Sequence, residues 1–346
     1  MIINKLIKFF THQKIISSKI CFEKIIFFVM IFLICYYYYY YYYKFFNHIY
    51  IAMSLNNNYI FPIMVSITSI LLNSKNSTYI HINLLISNDF KRINIYKIIS
   101  LKKLKYYIHF KFYKVGNKFK NWKHGRKIPV PSFYRSILGE IIYDTNKIIY
   151  LDGDTLAYKD LTDMYNINMD NLYFRGIREV PASYEKYIDK SNYICAGVML
   201  INIELTRKER VFHKFQNYYY NYYEQGIFYG DQHIINDLFR NKIGYLPPKY
   251  GMYFINKKKI QLYKQLNPLI YTEKELLESV YNPVLRHIAG INMNNKIVKK
   301  PWKIDYYMKI KSEWNYYAKK TGYYPSICSF YKKVCLNVSK NKKNKI

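Results

Sequence analysis

Four apolar or aromatic residues, Ile148-Ile149-Tyr150-Leu151, run directly into two carboxylates one residue apart, Asp152-Gly153-Asp154, followed by Thr155. An apolar run of that kind predicts a buried strand, and in open α/β sheets ligands gather beyond the carboxyl ends of strands. Asp152 and Asp154 at such a lip can share one hard divalent cation through their oxygens. The motif says little alone: 11 Asp in 346 residues give roughly one chance Asp-x-Asp in three such chains. Its weight comes from what must position it.

Upstream, His48–Ser54 reads as a first strand and Tyr59–Asn73 as a helix, with Pro62 in its first turn. Tyr79–Ser87 predicts a second strand and Tyr107–Tyr113 a third, with a helix between them capped by Asn88-Asp89 and running to about Leu104. This alternation predicts an α/β fold with a mainly parallel sheet and helices on both faces. Lys114–Pro131 is basic and loop-like; Ser132 then reads as the N-cap of a helix over Phe133–Tyr143 that feeds the Asp-x-Asp strand. Downstream, Tyr193–Ile203 predicts another buried strand, Leu205–Gln225 a helix with a Tyr-rich face, and Asp231–Arg240 a further helix. Asp231, directly after Gly230, reads as a capping residue of that helix.

The chain carries 54 Lys and Arg against 22 Asp and Glu, a formal net charge of +32. Heavy use of Lys, Ile, Asn and Tyr is what AT-rich coding would produce, so part of this is compositional. Such charge favours polyanions, an anionic lipid surface or nucleic acid. Arg clusters and nucleic-acid motifs are missing, so no nucleic-acid partner is expected. Five scattered Cys argue for a reducing compartment and against a zinc site. In residues 1–47 an apolar run of 11, Ile25–Cys35, precedes eight tyrosines, Tyr36–Tyr43. That run is shorter than the roughly 20 apolar residues of a spanning helix. We expect a low-complexity leader, or a start site set too early, in preference to a membrane anchor. Residues 48–303 read as one catalytic domain. Residues 304–346 read as a basic, aromatic tail resting on anionic headgroups, which places the protein in the cytoplasm at the inner membrane face.

The order of several short motifs resembles the family 8 retaining glycosyltransferases. They are Asn58-Tyr59, Arg135, Leu151-Asp152-Gly153-Asp154, Ala196-Gly197-Val198-Met199-Leu200-Ile201-Asn202, Asp231-Gln232, His287-Ile288-Ala289-Gly290 and Lys300-Pro301-Trp302. The resemblance implies a GT-A fold and transfer of glucose or galactose from a UDP-sugar, with retention, onto a glycan or glycolipid of lipopolysaccharide type. It implies that Asp152, Asp154 and His287 bind the metal, Mn2+ or else Mg2+. Donor contacts would come from Ala52, Asn58, Tyr59, Arg135, Asp152, Gly153, Asp154, Gly290 and Lys300. Asp231 and Gln232 would face the sugar, with Gln232 nearest the anomeric carbon on the acceptor side. Gly153 would leave room for the donor between the two carboxylates. The sequence also departs from the pattern. Ser54–Asn58 lacks the usual Asp, Cys195 stands where Asn or Ser is common, and Ile291–Lys299 lengthens the gap before Lys300.

Two other readings compete. A haloacid-dehalogenase-type phosphohydrolase also begins from a strand and two aspartates, but it needs one residue between the second Asp and Thr, and here Thr155 follows Asp154 directly. A non-catalytic protein of membrane surfaces or nucleic acid would rest on charge alone and leave the carboxylate and histidine motifs without a use.

Overall fold

The computed structural model describes residues 19–122, 129–179, 193–225, 230–252, 260, 270–288 and 308–331. The chain divides into two units, residues 1–47 and 48–346. In the first, α1 (Lys19–Phe45) carries the apolar run and the tyrosines in one continuous helix. The tyrosines pair along it at the i, i+4 spacing, Tyr36 with Tyr40 and Tyr37 with Tyr41. No helix among the described residues is long and apolar enough to cross a membrane.

The second unit opens with β1 (Asn47–Leu55), α2 (Ile60–Asn73), β2 (Thr78–Ile86), α3 (Arg92–Ile99) and β3 (Ile108–Lys114). It continues through a 3-10 segment over Val130–Ile137, α4 (Leu138–Ile141), β4 (Lys147–Leu151), β5 (Thr155–Ala157), α5 (Thr162–Tyr165) and β6 (Phe174–Arg178). Then come β7 (Ile194–Asn202), α6 (Ile203–Lys208), α7 (Val211–Glu224), α8 (Asp231–Leu238) and β8 (Ile243–Tyr245). The last elements are α9 (Glu273–Tyr281), β9 (Leu285–His287) and α10 (Met308–Lys320). Seven strands form one sheet in the order β3-β2-β1-β4-β7-β6-β8. β4 pairs parallel with β1 and antiparallel with β7, so the sheet is mixed, with strand direction changing next to the Asp-x-Asp strand. β7 is almost wholly buried and β1 is buried from Ile49 to Met53, which is why both read as continuous apolar runs and not as alternating ones.

Helix α2 is buried over nearly its whole length because it lies between two partners. One side packs into the core beneath β1 and β2, through Ile63, Ile67 and Ile70. The other holds β5: Ser66 Oγ is 2.8 Å from Thr155 Oγ1, and Ser69 Oγ accepts from Ala157 N at 2.9 Å. Its small hydroxyl residues therefore replace sheet hydrogen bonds that β5 would otherwise lack.

Several local expectations are corrected. Asn88-Asp89 does not cap α3, which begins at Arg92; Asn57 Oδ1 instead accepts from Lys91 N at 2.9 Å and Asn94 Nδ2 at 3.0 Å. Ser132 is no N-cap: it lies inside the 3-10 segment and donates back to Pro129 O, with Pro131 in the first turn. The helix expected over Leu205–Gln225 breaks into α6 and α7 at Arg210, whose φ of 53° is left-handed. Over its described part, the segment expected to rest on anionic headgroups packs in part on the domain itself. Trp314, 1% exposed, Tyr317 and Ala318 of α10 pack with Val65, Leu156 and Ile288. These aromatic side chains face the protein interior and are withdrawn from any headgroup.

Candidate active site

β4 ends at Leu151, and the chain turns at once through Asp152-Gly153-Asp154 into β5. Three hydrogen bonds fix the turn. Asp152 N donates to Gly197 O at 2.8 Å, Thr155 Oγ1 donates to Asp152 O at 2.9 Å, and Ile288 N donates to Asp154 O at 2.8 Å. The last of these comes from a distant part of the chain. β5 pairs antiparallel with β9 in a separate two-stranded sheet, placing Thr155 opposite His287. Backbone pairing thus delivers an imidazole to the carboxylates.

His287 Nε2 lies 3.4 Å from Asp154 Oδ1 and 3.8 Å from Asp152 Oδ2. Among the described residues these three form the one group of ligand-type side chains whose atoms all lie within 4.8 Å of one another. His287 and Asp154 are buried, while the Asp152 side chain keeps 31% of its surface. The trio fits a divalent cation on a specific observation: Nε2 is a buried polar atom without a hydrogen-bond partner, facing two carboxylates. Two hard oxygens and one imidazole form a donor set suited to manganese or magnesium more than to calcium. Burial alone would lower the imidazole pKa, but Cys195 and Asp154 beside it hold it well above its ordinary value. The site therefore favours positive charge at this point.

Gly197 explains how the ring fits. A Cβ there would stand 2.6 Å from His287 Nε2, so the imidazole occupies the space that any side chain would claim. Gly153 is closely packed as well. A Cβ on it would meet Ile63 Cγ1 at 2.8 Å and Tyr59 Cδ1 at 3.2 Å, so close packing against α2, more than room for a donor, accounts for this glycine.

Arg135 is 4% exposed, and each of its three guanidinium nitrogens has a partner within the protein. Nη2 donates to Asp152 Oδ1 at 3.0 Å, Nε pairs with Asp231 Oδ2 at 2.9 Å, and Nη1 donates to Ala196 O. The cation also lies 4.3 Å from the centre of the Tyr150 ring. Burial alone would lower the arginine's pKa, but Asp152 and Asp231 reverse that and hold it firmly charged. Burial pushes the Asp231 carboxyl up despite Arg135, because Arg135 is shared with Asp152, whose own charge pushes the same way. Arg135 thus joins Asp152 to Asp231.

Gln232, the next residue, is held at both ends of its amide. Oε1 accepts from Ala196 N at 3.0 Å, and Nε2 donates to Glu179 Oε2 at 2.9 Å. Tyr59 lies beside the Asp-Gly-Asp turn and Asn58 is exposed just beyond β1, where Asn56 Oδ1 accepts from its N–H. Ala52 is fully buried between the flanking strands and is not brought to the site surface. Gly290, Lys300 and the rest of the Lys-Pro-Trp motif lie outside the described residues. Two residues went unassigned in the sequence. Glu179 sits in no motif, and Cys195 was noticed only as a departure; its Sγ is 3.4 Å from His287 Nδ1.

A strand-end carboxylate pair beside the change of strand direction, completed by a distant histidine, makes up the candidate site. The fold has solved counterparts. A galactosyltransferase, LgtC, solved with donor and acceptor sugar analogues, superposes with a TM-score of 0.61 at 21% identity, covering 79% of this chain and 96% of that one. The family model for glycosyl transferase family 8 matches residues 50–303, and the chain belongs to that family. A Haemophilus influenzae protein described as a glycosyltransferase is 29% identical over 131 residues, 36% of this chain and 39% of its own length. The lipopolysaccharide 1,2-glucosyltransferase of Escherichia coli is 23% identical over 265 residues, covering 73% of this chain and 72% of its own. The chain thus spans about two-fifths of the first of these relatives and most of the second.

Proposed function

We infer that the protein transfers a hexose, glucose or galactose, from a UDP-sugar to a glycan or glycolipid acceptor of lipopolysaccharide type, with retention. The observation that carries this is the buried His287 Nε2 without a hydrogen-bond partner, facing Asp152 and Asp154 at the end of β4. A divalent cation held by these three residues, Mn2+ or Mg2+, would neutralise charge growing on the departing diphosphate. The protein's own groups do the rest. Arg135 occupies one oxygen of Asp152 and leaves the other turned to the site. Asn58 and Tyr59 stand beyond β1, where an open α/β sheet receives a nucleotide. Asp231 and Gln232 begin α8 and frame the sugar side. With Asp231 held by Arg135 and the Gln232 amide held at both ends, neither is set as a nucleophile. Retention then follows from attack by the acceptor hydroxyl on the face that the diphosphate leaves, the diphosphate taking the proton.

Attachment at the cytoplasmic membrane face belongs to the same proposal. It is supported by the net charge and by Lys311, Lys319 and Lys320 on the exposed side of α10. The test is incubation with UDP-glucose or UDP-galactose and Mn2+, following UDP release with an oligosaccharide or glycolipid acceptor. Turnover that collapses in Asp152→Asn and His287→Ala is the expected result. Hydrolysis of simple phosphate monoesters, indifferent to UDP, would overturn it.

A further inference from the structure

The order of the strands says where along the sheet edge a nucleotide would lie. β1, β2 and β3 follow one another outward on one side, and β4 lies on the other side of β1, so the order reverses between β1 and β4. Open α/β sheets take nucleotides in the crevice outside such a reversal. The metal trio at the end of β4 marks the diphosphate end. β7, the next strand beyond β4, is antiparallel to it and turns its carboxyl end to the opposite edge. That leaves the loops after β1 and β2 to receive the base.

One side chain ties those two loops together. Asn57, after β1, accepts through Oδ1 from Lys91 N at 2.9 Å and from Asn94 Nδ2 at 3.0 Å, both after β2. A backbone N–H can only donate, so the amide is oriented and its NH2 faces Asp89. Asn57 Nδ2 donates to Asp89 O at 2.9 Å and to Asp89 Oδ2 at 3.3 Å. One carboxylate oxygen is thus held, while Oδ1 has no partner among the described residues and the side chain is exposed. Asp89 is also the one carboxylate in residues 56–59, 87–91 and 115–122, which follow β1, β2 and β3. It lies near Tyr134, whose hydroxyl pKa is pushed up by burial and then by the Asp89 charge; the next residue, Arg135, holds Asp152. Tyr59, two residues on from Asn57, stands beside the Asp-Gly-Asp turn.

An ionised carboxylate only accepts hydrogen bonds. Uracil presents N3–H, a donor, between two carbonyl oxygens. Cytosine presents a bare N3 lone pair at the same place in a ring of the same size. An acceptor fixed against this edge takes uracil and turns cytosine away, because two acceptors would face each other with no proton between them. We propose that Asp89, oriented by Asn57, reads the base of the donor nucleotide, accepting from uracil N3–H and so selecting UDP-sugars over CDP-sugars. The proposal rests on the UDP-sugar reading above and adds a specificity-determining residue from the end of β2. Asn57 acts through Asp89 and is a positioning residue.

The experiment is calorimetric titration of the full chain with UDP and with CDP, each with Mn2+, and with inorganic pyrophosphate and Mn2+ as a probe that lacks a base. The parent protein is expected to bind UDP about 10-fold or more tightly than CDP. Asp89→Ala is expected to weaken UDP about 10-fold and to leave CDP and pyrophosphate within about 3-fold, so that the two nucleotides bind alike. In Asp89→Asn the amide oxygen faces the Asn57 NH2 and the new NH2 faces the base, so CDP is expected to bind several-fold tighter than in Asp89→Ala. A purely structural role, holding the two loops together through Asn57, predicts instead that UDP and CDP weaken by the same factor. A parent protein that does not favour UDP over CDP, a preference unchanged in Asp89→Ala, equal losses of both nucleotides, or CDP no tighter in Asp89→Asn than in Asp89→Ala overturns the assignment of Asp89. A parent protein that binds neither UDP nor pyrophosphate overturns the donor reading together with it. A UDP preference that is lost in Asp89→Ala, in a protein without hexosyl transfer, fails the functional reading alone and leaves Asp89 as the reader of the base.

Discussion

Two charge clusters share Asp152, and they are built on opposite terms. On one side Arg135 lies among Asp152, Asp231, Ala196 O and the Tyr150 ring, and its donors are engaged within the protein. On the other, Asp152 and Asp154 converge on a buried imidazole nitrogen, a donor set that could hold a divalent cation. A buried ion pair that satisfies itself is scaffold, and its loss is felt as instability. A buried set of ligands that does not satisfy itself stores affinity for something absent from the polypeptide. The contrast teaches which carboxylate contacts to read as architecture and which as chemistry, although both involve the same aspartate.

The largest expected effect separates the two clusters by activity. Asp154→Asn should lower UDP-sugar turnover by about 10³-fold or more, in line with removal of a group that stabilises developing charge. Its urea midpoint should stay close to that of the parent protein. Arg135→Ala should do the opposite in kind: stability should fall by about 3–5 kcal/mol in equilibrium urea unfolding, because Asp231 is left buried and uncompensated. If Arg135→Ala unfolds no more readily than Asp154→Asn, the division into scaffold and ligand set is wrong. Gly197→Ala tests the open cluster from behind. Its methyl group would displace the imidazole, and Mn2+ affinity by calorimetry should drop about 10–100-fold, the range for disturbing a ligand's support.

The smallest effect comes from a control remote from both clusters. His81 lies 2.9 Å from His48 across neighbouring strands and stacks on Tyr50. Burial first, then the charges of His48 and His109, push its pKa down from 6.5 to about 4. Between those values the unfolded chain holds the proton and the folded one does not, so stability is full above 6.5, declines as the pH falls toward 4, and is flat below. Urea midpoints between pH 7 and pH 4 should show this slope, and His81→Gln should flatten it without changing Mn2+ binding at pH 7.

The first three strands, the Asp-x-Asp turn and the buried β7 were legible because each is an apolar run long enough to show its period, or its lack of one. The trio was legible only because His287-Ile288-Ala289-Gly290 resembles a family motif; nothing local to a three-residue strand announces a pairing with β5. The contact of Cys195 with His287 was not legible at all. Their strands, β7 and β9, lie in different sheets and meet only after both are assembled, and a lone Cys carries no spacing. Arg135 was found but its partners were not, since one of them belongs to a helix that begins far downstream. The break at Arg210 left no trace either, because the left-handed residue is an arginine and not the glycine or asparagine that would have marked it. The packing of the tail was not legible either: aromatic and basic residues at helical spacing look alike whether the aromatic face meets lipid or, as with Trp314, the protein's own core.

The β5–β9 pairing has a consequence for how the enzyme comes into being. β4 and the aspartates of its turn leave the ribosome early, but Ile288, which donates to Asp154 O, and His287 are made much later. At roughly 5–20 residues per second, the interval is on the order of ten seconds. During it the nascent domain holds two carboxylates without the imidazole that completes their set, and β5 has only α2 to hold it. Completion of the site is therefore among the last events of biosynthesis, and a chain cut short before Leu285 should fold much of its sheet while lacking the third ligand. The two-stranded sheet acts as a final latch, joining catalytic competence to the arrival of the C-terminal segment.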